Sequence, residues 1–232
     1  LRARISLPDL LQHNHIPSYL LSNQGEEGTW NMAGSIIFKH AQKQYSVTTT
    51  RLGNAEYMID RPYDGDFFLK NLDVLLPTLS ATQSSVVFLH SFAGHGGMNG
   101  YLGAIPEAFR SNVDHYLKNK SHAAIAGSVR GATENVENYD SAMRYIDHNI
   151  NLVIEKLNQL EKPTVFIYFS DHGESVYTAR GHESSRFTHE MARVPLLIFF
   201  NASARQQYPL LFKQYKQLAE TNTLTTLAQI PT

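Results

Sequence analysis

The sequence predicts an α/β fold in which a mostly parallel sheet carries helices on both of its faces. Three observations support it. Short apolar runs at 85–90, 164–169 and 194–200 read as strands. A long helical repeat separates the first run from the second, and Gly-rich segments follow the first two. Strands alternating with helical segments imply crossover connections, which place helices against the sheet. The 232 residues, 42% of them hydrophobic and 18% charged, are enough for one domain with a sizeable core. No repeat, low-complexity tract or linker interrupts them, so residues 1–232 are expected to form a single α/β domain.

The elements follow in order. Residues 7–12 read as a short helix, and 17–22 as a strand ending in Asn23-Gln24-Gly25. Between 26 and 64, Gly28, Gly34, Gly53 and Pro62 break every pattern, and no element is assigned. Residues 66–79 resemble a helix with an acidic start, which Pro77 is expected to end. Over 139–160, Met143, Ile146, Ile150, Val153, Leu157 and Leu160 recur at spacings of three and four, one face of a helix. Asn138 or Asp140 is its expected cap. That face is read as packing against a sheet, not as a binding surface. A helix over 204–220 and the start of another over 222–232 complete the chain.

Several function classes are excluded at this level. A net charge of −1 with no basic stripe gives no footprint for nucleic acid. With no cysteine there is no disulfide, thiolate nucleophile or Cys-ligated zinc. No phosphate-binding Gly-x-x-x-x-Gly-Lys loop, dinucleotide Gly-x-Gly-x-x-Gly motif or Gly-x-Ser-x-Gly elbow is present. No pair of carboxylates stands out for glycoside hydrolysis. No apolar stretch reaches membrane-spanning length and no signal peptide is evident.

The most informative segment is Tyr168-Phe169-Ser170-Asp171-His172-Gly173-Glu174-Ser175, followed by Gly181-His182. Asp171 and His172 leave a strand at its carboxyl end, where open α/β sheets place their ligands. Beyond the strand, adjacent side chains no longer alternate between faces, so both can turn onto one ion. Oxygen with imidazole nitrogen suits zinc. The dipeptide alone also fits an ordinary turn beside a solvated histidine. A second Gly-flanked histidine, His95 in Gly94-His95-Gly96, follows the strand at 85–90. One Asp and three His make the composition of a zinc or phosphate site. His13, His15, His40, His115, His122 and His148 are read as structural or solvated, and His189-Glu190 as a solvated helical pair. Arg186 and Arg193 suit phosphate equally well as they suit the surface.

Ser170-Asp171-His172-Gly173-Glu174-Ser175 with His182 resembles the metal loop of the lipopolysaccharide phosphoethanolamine transferases, members of the alkaline phosphatase and sulfatase superfamily. Leu89-His90-Ser91-Phe92-Ala93-Gly94-His95-Gly96 is similar to that family's Leu-His-x-x-Gly-x-His-Gly loop, and Pro106-Glu107-Ala108-Phe109 to the segment after it. Asn138-Tyr139-Asp140, Leu20-Leu21-Ser22-Asn23-Gln24 and Val194-Pro195 also match in family order. The resemblance implies a two-step transfer of phosphoethanolamine from a phospholipid donor to a lipid A or core lipopolysaccharide acceptor. A zinc-bound threonine would carry the phosphoryl group between the steps. It further implies Asp171 and His172 as zinc ligands, and His95 and His182 as holders of the phosphoryl group or a second metal. Glu174 is expected to orient His172 from behind.

The departures set further expectations. The family's zinc-binding Glu and nucleophilic Thr precede the Asn-Gln strand, and none of the 22 residues before Asn23 resembles either. Ser6, Thr48, Thr49 and Thr50 are misplaced for the nucleophile, and the family's lysine is not evident among residues 25–34. The chain is therefore expected to be a C-terminal portion of the catalytic domain, inactive alone. Its full-length protein would sit at the periplasmic face of the bacterial inner membrane, anchored by helices outside this sequence. The other readings are a sulfatase-like hydrolase or phosphoglycerol transferase, or a degenerate sugar- or lipid-binding module without catalysis.

Overall fold

The computed structural model describes residues 6–25, 37–41, 43–47, 49–52, 55–58, 62–95, 105–110, 127–176, 181–183 and 185–221. Thr48, His115, His122 and the helix expected over 222–232 lie outside the described residues. The chain divides into two compact units, Leu1–Phe92 with Gln217–Thr232, and Ala93–Lys216.

In the first unit, α1 (Leu7–His13) begins at a capping box. Asp9 N–H donates to Ser6 Oγ at 3.3 Å, and Ser6 N–H donates to Asp9 Oδ2 at 3.1 Å, satisfying two N–H groups that the helix leaves over. His40 also pairs with Asp9. Hydrogen bonds from His40 and then Ser6 hold the Asp9 carboxyl down at about 2. The central strand is β1 (Ser18–Gly25), whose Tyr19, Leu20 and Leu21 are buried. A continuous apolar run is what a strand covered on both faces requires. Parallel partners flank it, β2 (Lys43–Val47) and, beyond the short hairpin of β3 (Thr49–Leu52) and β4 (Ala55–Met58), β5 (Val86–His90). Ser22 stands opposite His90 in the register, so β1 and β5 run to the same edge of the sheet, with β1 continuing to Gly25. Strands β2, β3 and β4 fill the stretch that carries no readable pattern. Their runs, such as Lys43-Gln44-Tyr45-Ser46-Val47, are short and polar.

α2 (Asp64–Ala81) packs on β1 through buried Phe67, Phe68, Leu72 and Leu75. It continues past Pro77, which corrects the expected stop. An interior proline costs about 3 kcal/mol. Burying each large apolar side chain stabilises by about 1.5–3 kcal/mol, and this helix buries four.

In the second unit, α3 (Gly127–Asn158) starts well before the expected residue 139, and Asn138 and Asp140 lie inside it instead of capping it. Residues 127–138 contain two glycines and mostly polar side chains, so no apolar repeat announces them. Ala142 and Tyr145 of α3 form a core with Ala93 and Ile105, against which Phe109, Tyr139, Met143 and Ile146 pack. The small Ala142 and Ser141, whose hydroxyl is satisfied by Glu137 O at 2.7 Å, permit close approach there.

β6 (Val165–Phe169) pairs antiparallel with β7 (Leu196–Phe200). β6 is expected to be buried. Instead Phe166 and Tyr168 are half-buried while Val165, Ile167 and Phe169 are exposed, the period-two pattern of a sheet covered on one face. Between the two strands lies α4 (His189–Ala192). The helix expected over 204–220 is two helices, α5 (Ala202–Gln207) and α6 (Pro209–Glu220). Tyr208 leaves the helical region at φ −124°, ψ 56°, because Pro209 disfavours helical backbone at the residue before it.

Candidate metal centre

The chain leaves β6 at Phe169 and turns at once. Ser170 Oγ donates to His172 O at 2.7 Å, and His172 N–H donates to Asp171 Oδ1 at 3.0 Å, so the turn is held by its own side chains. Asp171 is 87% exposed at its side chain, and its Oδ2 lies 3.9 Å from His172 Nε2. Two ligands about 2.1 Å from a tetrahedral zinc stand roughly 3.4 Å apart, so a small closure lets one ion share this pair. His172 Nδ1 lies 3.0 Å from Gly173 O. A carbonyl only accepts, so Nδ1 carries the proton and Nε2 keeps its lone pair for a ligand.

Gly173 N–H donates to Met191 O of α4 at 2.8 Å. A Cβ at Gly173 would stand 2.1 Å from Glu190 O and 3.0 Å from Arg193 O, both backbone atoms that cannot swing away. Glycine is required by this close approach. Gly173→Ala is expected to push the loop off α4 and to lose the hydrogen-exchange protection of the residue-173 amide, with far-UV dichroism little changed. Wild-type protection of that amide in the variant would contradict the contact.

After Glu174 the loop closes on itself through an antiparallel bridge between Ser175 and Gly181, with Ser175 N–H donating to Gly181 O at 3.0 Å. From α3, Asn135 Nδ2 donates to Val176 O at 3.0 Å and anchors the loop to the helix. Glu174 Oε1 lies 2.6 Å from His182 Nδ1, and the His172 and His182 rings stack with centroids 4.2 Å apart. His172, Glu174 and His182 each offer a ligand atom, all within 4.8 Å of one another. Two imidazoles and a carboxylate are a set that zinc accepts. Burial first, then the charges of Glu174 and Asp140, pushes the Tyr139 hydroxyl above its ordinary range, and burial with Tyr139 does the same to Tyr168.

The sequence-predicted residues thus divide. His172 and His182 come together, and Asp171 stands beside His172. Glu174 is bonded to His182, whereas the sequence reading expects it behind His172. His95 is exposed and lies outside the three-residue group. His189, Glu190, Arg186 and Arg193 are exposed. Asn135 is missed by sequence reasoning, since a buried side-chain amide inside a helix leaves no periodic signal. Among the described residues, no helix is long and apolar enough to cross a membrane.

A model of the Sulfatase family matches residues 2–229. Phosphoethanolamine transferase EptC of Escherichia coli K12 is 23% identical over 217 residues, covering 90% of this chain and 34% of the relative. Phosphoethanolamine transferase EptA of Helicobacter pylori is 27% identical over 158 residues, covering 66% of this chain and 28% of the relative. The chain therefore spans about a third of the length of these curated relatives. Among solved structures, the C-terminal periplasmic domain of E. coli EptC in complex with Zn aligns with TM-score 0.68 at 22% identity, over 90% of this chain and 55% of that one. The soluble domain of lipooligosaccharide phosphoethanolamine transferase A from Neisseria meningitidis aligns with TM-score 0.59 at 21% identity, over 85% and 55%. These likenesses place the fold, and with the family model matched over nearly all its length, this chain belongs to the sulfatase family, within the alkaline phosphatase and sulfatase superfamily.

Proposed function

We propose that the chain is part of the catalytic domain of a zinc-dependent transferase that moves phosphoethanolamine from a phospholipid to lipid A or core lipopolysaccharide. The observation that carries this reading is the convergence of His172, Glu174 and His182 next to Asp171, in a chain whose curated relatives are phosphoethanolamine transferases. Asp171 and His172 would hold zinc, and His182 and His95 would face the phosphoryl group or a second ion. Bound there, zinc neutralises charge on a transferring phosphoryl group and lowers the pKa of an attacking hydroxyl. Asp171 would supply an exposed carboxylate to the ion, and His172 an imidazole whose Nδ1–H donates to the Gly173 carbonyl. The threonine that would form the phospho-enzyme matches no residue of this sequence, and the chain on its own is expected not to turn over. The site of action proposed for the whole protein is the periplasmic face of the inner membrane, since solved relatives are described as a periplasmic domain and as an integral membrane protein.

Elemental analysis of the purified chain beside Asp171→Ala/His172→Ala tests the metal reading. Zinc bound stoichiometrically in the wild type and lost from the variant is the expected result, and a wild type without zinc counts against it. Mass spectrometry of lipid A and core from cells expressing the whole gene tests the transfer. Added phosphoethanolamine supports it. Unmodified lipopolysaccharide, with sulfate-ester or phosphoglycerol chemistry in its place, moves the assignment to another branch of the family.

A further inference from the structure

We infer that Glu174 is a positioning residue whose carboxylate fixes His182 as the Nδ1–H tautomer and thereby keeps the Nε2 lone pair of a ring stacked on His172 available to a ligand. The inference rests on the metal-site reading above and adds the device that prepares the second imidazole.

Ser175 and Gly181 face each other in antiparallel register. The residue before one and the residue after the other are then the next cross-strand pair, and these are Glu174 and His182. Directly opposed residues on one face bring their Cβ atoms within about 5 Å, the reach of a carboxylate to an imidazole. The contact follows: Oε1 to Nδ1 is 2.6 Å, a charge-assisted length.

The two partners differ in exposure. The Glu174 side chain is 8% exposed and that of His182 is 54%. The buried carboxylate is therefore the fixed member and the ring the aimed one. Gly181 makes room for it, since a Cβ there would sit 3.0 Å from Glu174 Oε2, and its φ of +60° belongs to the left-handed region that favours glycine.

A carboxylate accepts and cannot donate, so the hydrogen in this bond belongs to Nδ1 of His182. His182 Nε2 then keeps its lone pair, as His172 Nε2 does through the Gly173 carbonyl. Two stacked imidazoles whose Nδ1–H groups donate to separate acceptors are each left with the same kind of ligand atom, Nε2. A histidine held by a carboxylate on its other nitrogen is how proteins prepare a metal or phosphoryl-facing imidazole, and removal of such a partner typically weakens metal affinity about 10–100-fold.

Long-range proton–nitrogen correlation spectra of the metal-free, ¹⁵N-histidine-labelled protein, recorded with the rings neutral, test this directly. The wild type is expected to show His182 as Nδ1–H. Glu174→Ala is expected to release it into a tautomer mixture, while His172 stays Nδ1–H as an internal control of folding. Glu174→Gln, whose amide oxygen still accepts, should restore the Nδ1–H form. Zinc affinity, by competition with a chelator, should fall 10–100-fold in Glu174→Ala and less than tenfold in Glu174→Gln. Nε2–H in the wild type, or no change of tautomer in Glu174→Ala, overturns the inference. The expected tautomers without any zinc binding would leave Glu174 in this role and remove the metal reading alone.

Discussion

Asn201→Ala is expected to lower the stability of the folded chain by about 3–4 kcal/mol, since each buried group left without a partner costs about 1–3 kcal/mol. Asn201 is fully buried. Its Oδ1 accepts from Thr164 N–H at 3.0 Å and from Ala204 N–H at 2.9 Å, and its Nδ2 donates to Leu160 O at 3.0 Å and Lys162 O at 2.9 Å. One side chain thus caps α5, holds the entry to β6 and ties down the turn after α3. Alanine removes the cap, itself worth about 0.5–2 kcal/mol, and takes the amide partner from Thr164 N–H and the carbonyls of Leu160 and Lys162, all half-buried. Asn201→Asp keeps both accepting bonds but turns an oxygen toward the two carbonyls, and is expected to fare no better than alanine. Urea denaturation followed by circular dichroism measures this as a lower midpoint. A loss under 1 kcal/mol for alanine would show that the hub does not hold these segments.

Asp64→Ala should cost about 3 kcal/mol, by the same penalty on stranded buried groups. Asp64 is buried at the start of α2. Asn23 Nδ2 donates to its Oδ1 at 2.6 Å, and Phe92 N–H donates to its two oxygens at 3.1 Å each. Asn23 also donates to Pro62 O at 2.9 Å, so the carboxylate and the amide together join the carboxyl ends of β1 and β5 to the helix. The helix N-terminus favours a negative charge at this place. Asp64→Asn leaves one oxygen for the same donors and should cost about 1 kcal/mol, the net worth of a typical hydrogen bond. For a chain of this size 3 kcal/mol corresponds to a fall in Tm of roughly 6–12 °C. Equal melting temperatures for Asp64→Ala and the wild type would sink the claim.

Neither of these residues stands out in the sequence. An Asn after a strand and an Asp before a helix are common, and most of their weight comes from partners 28 to 41 residues away. The polar strands β2, β3 and β4 were equally hidden, since pairing with β1 or with each other, not an apolar run, is what makes them strands. Pro77 misleads for the complementary reason. It is a local signal, outweighed by the burial of Phe67, Phe68, Leu72 and Leu75.

By itself the sequence determined what local chemistry can determine. The apolar runs at Tyr19–Leu21 and in β5, β6 and β7 specify strands through periodicity and burial, whereas the reading of 204–220 as one helix passed over the break at Pro209. The Asp171-His172-Gly173 loop and Gly181-His182 announce their candidate ligand atoms by residue type. The tertiary structure alone decided which of those atoms meet. Glu174 faces His182 because the bridge between Ser175 and Gly181 folds the loop back, and Gly173 is glycine because Glu190 O lies against it. Residue type sets what a side chain can donate or accept, whereas the partner it finds depends on how a closed loop and a packed helix turn bring distant backbone within about 3 Å.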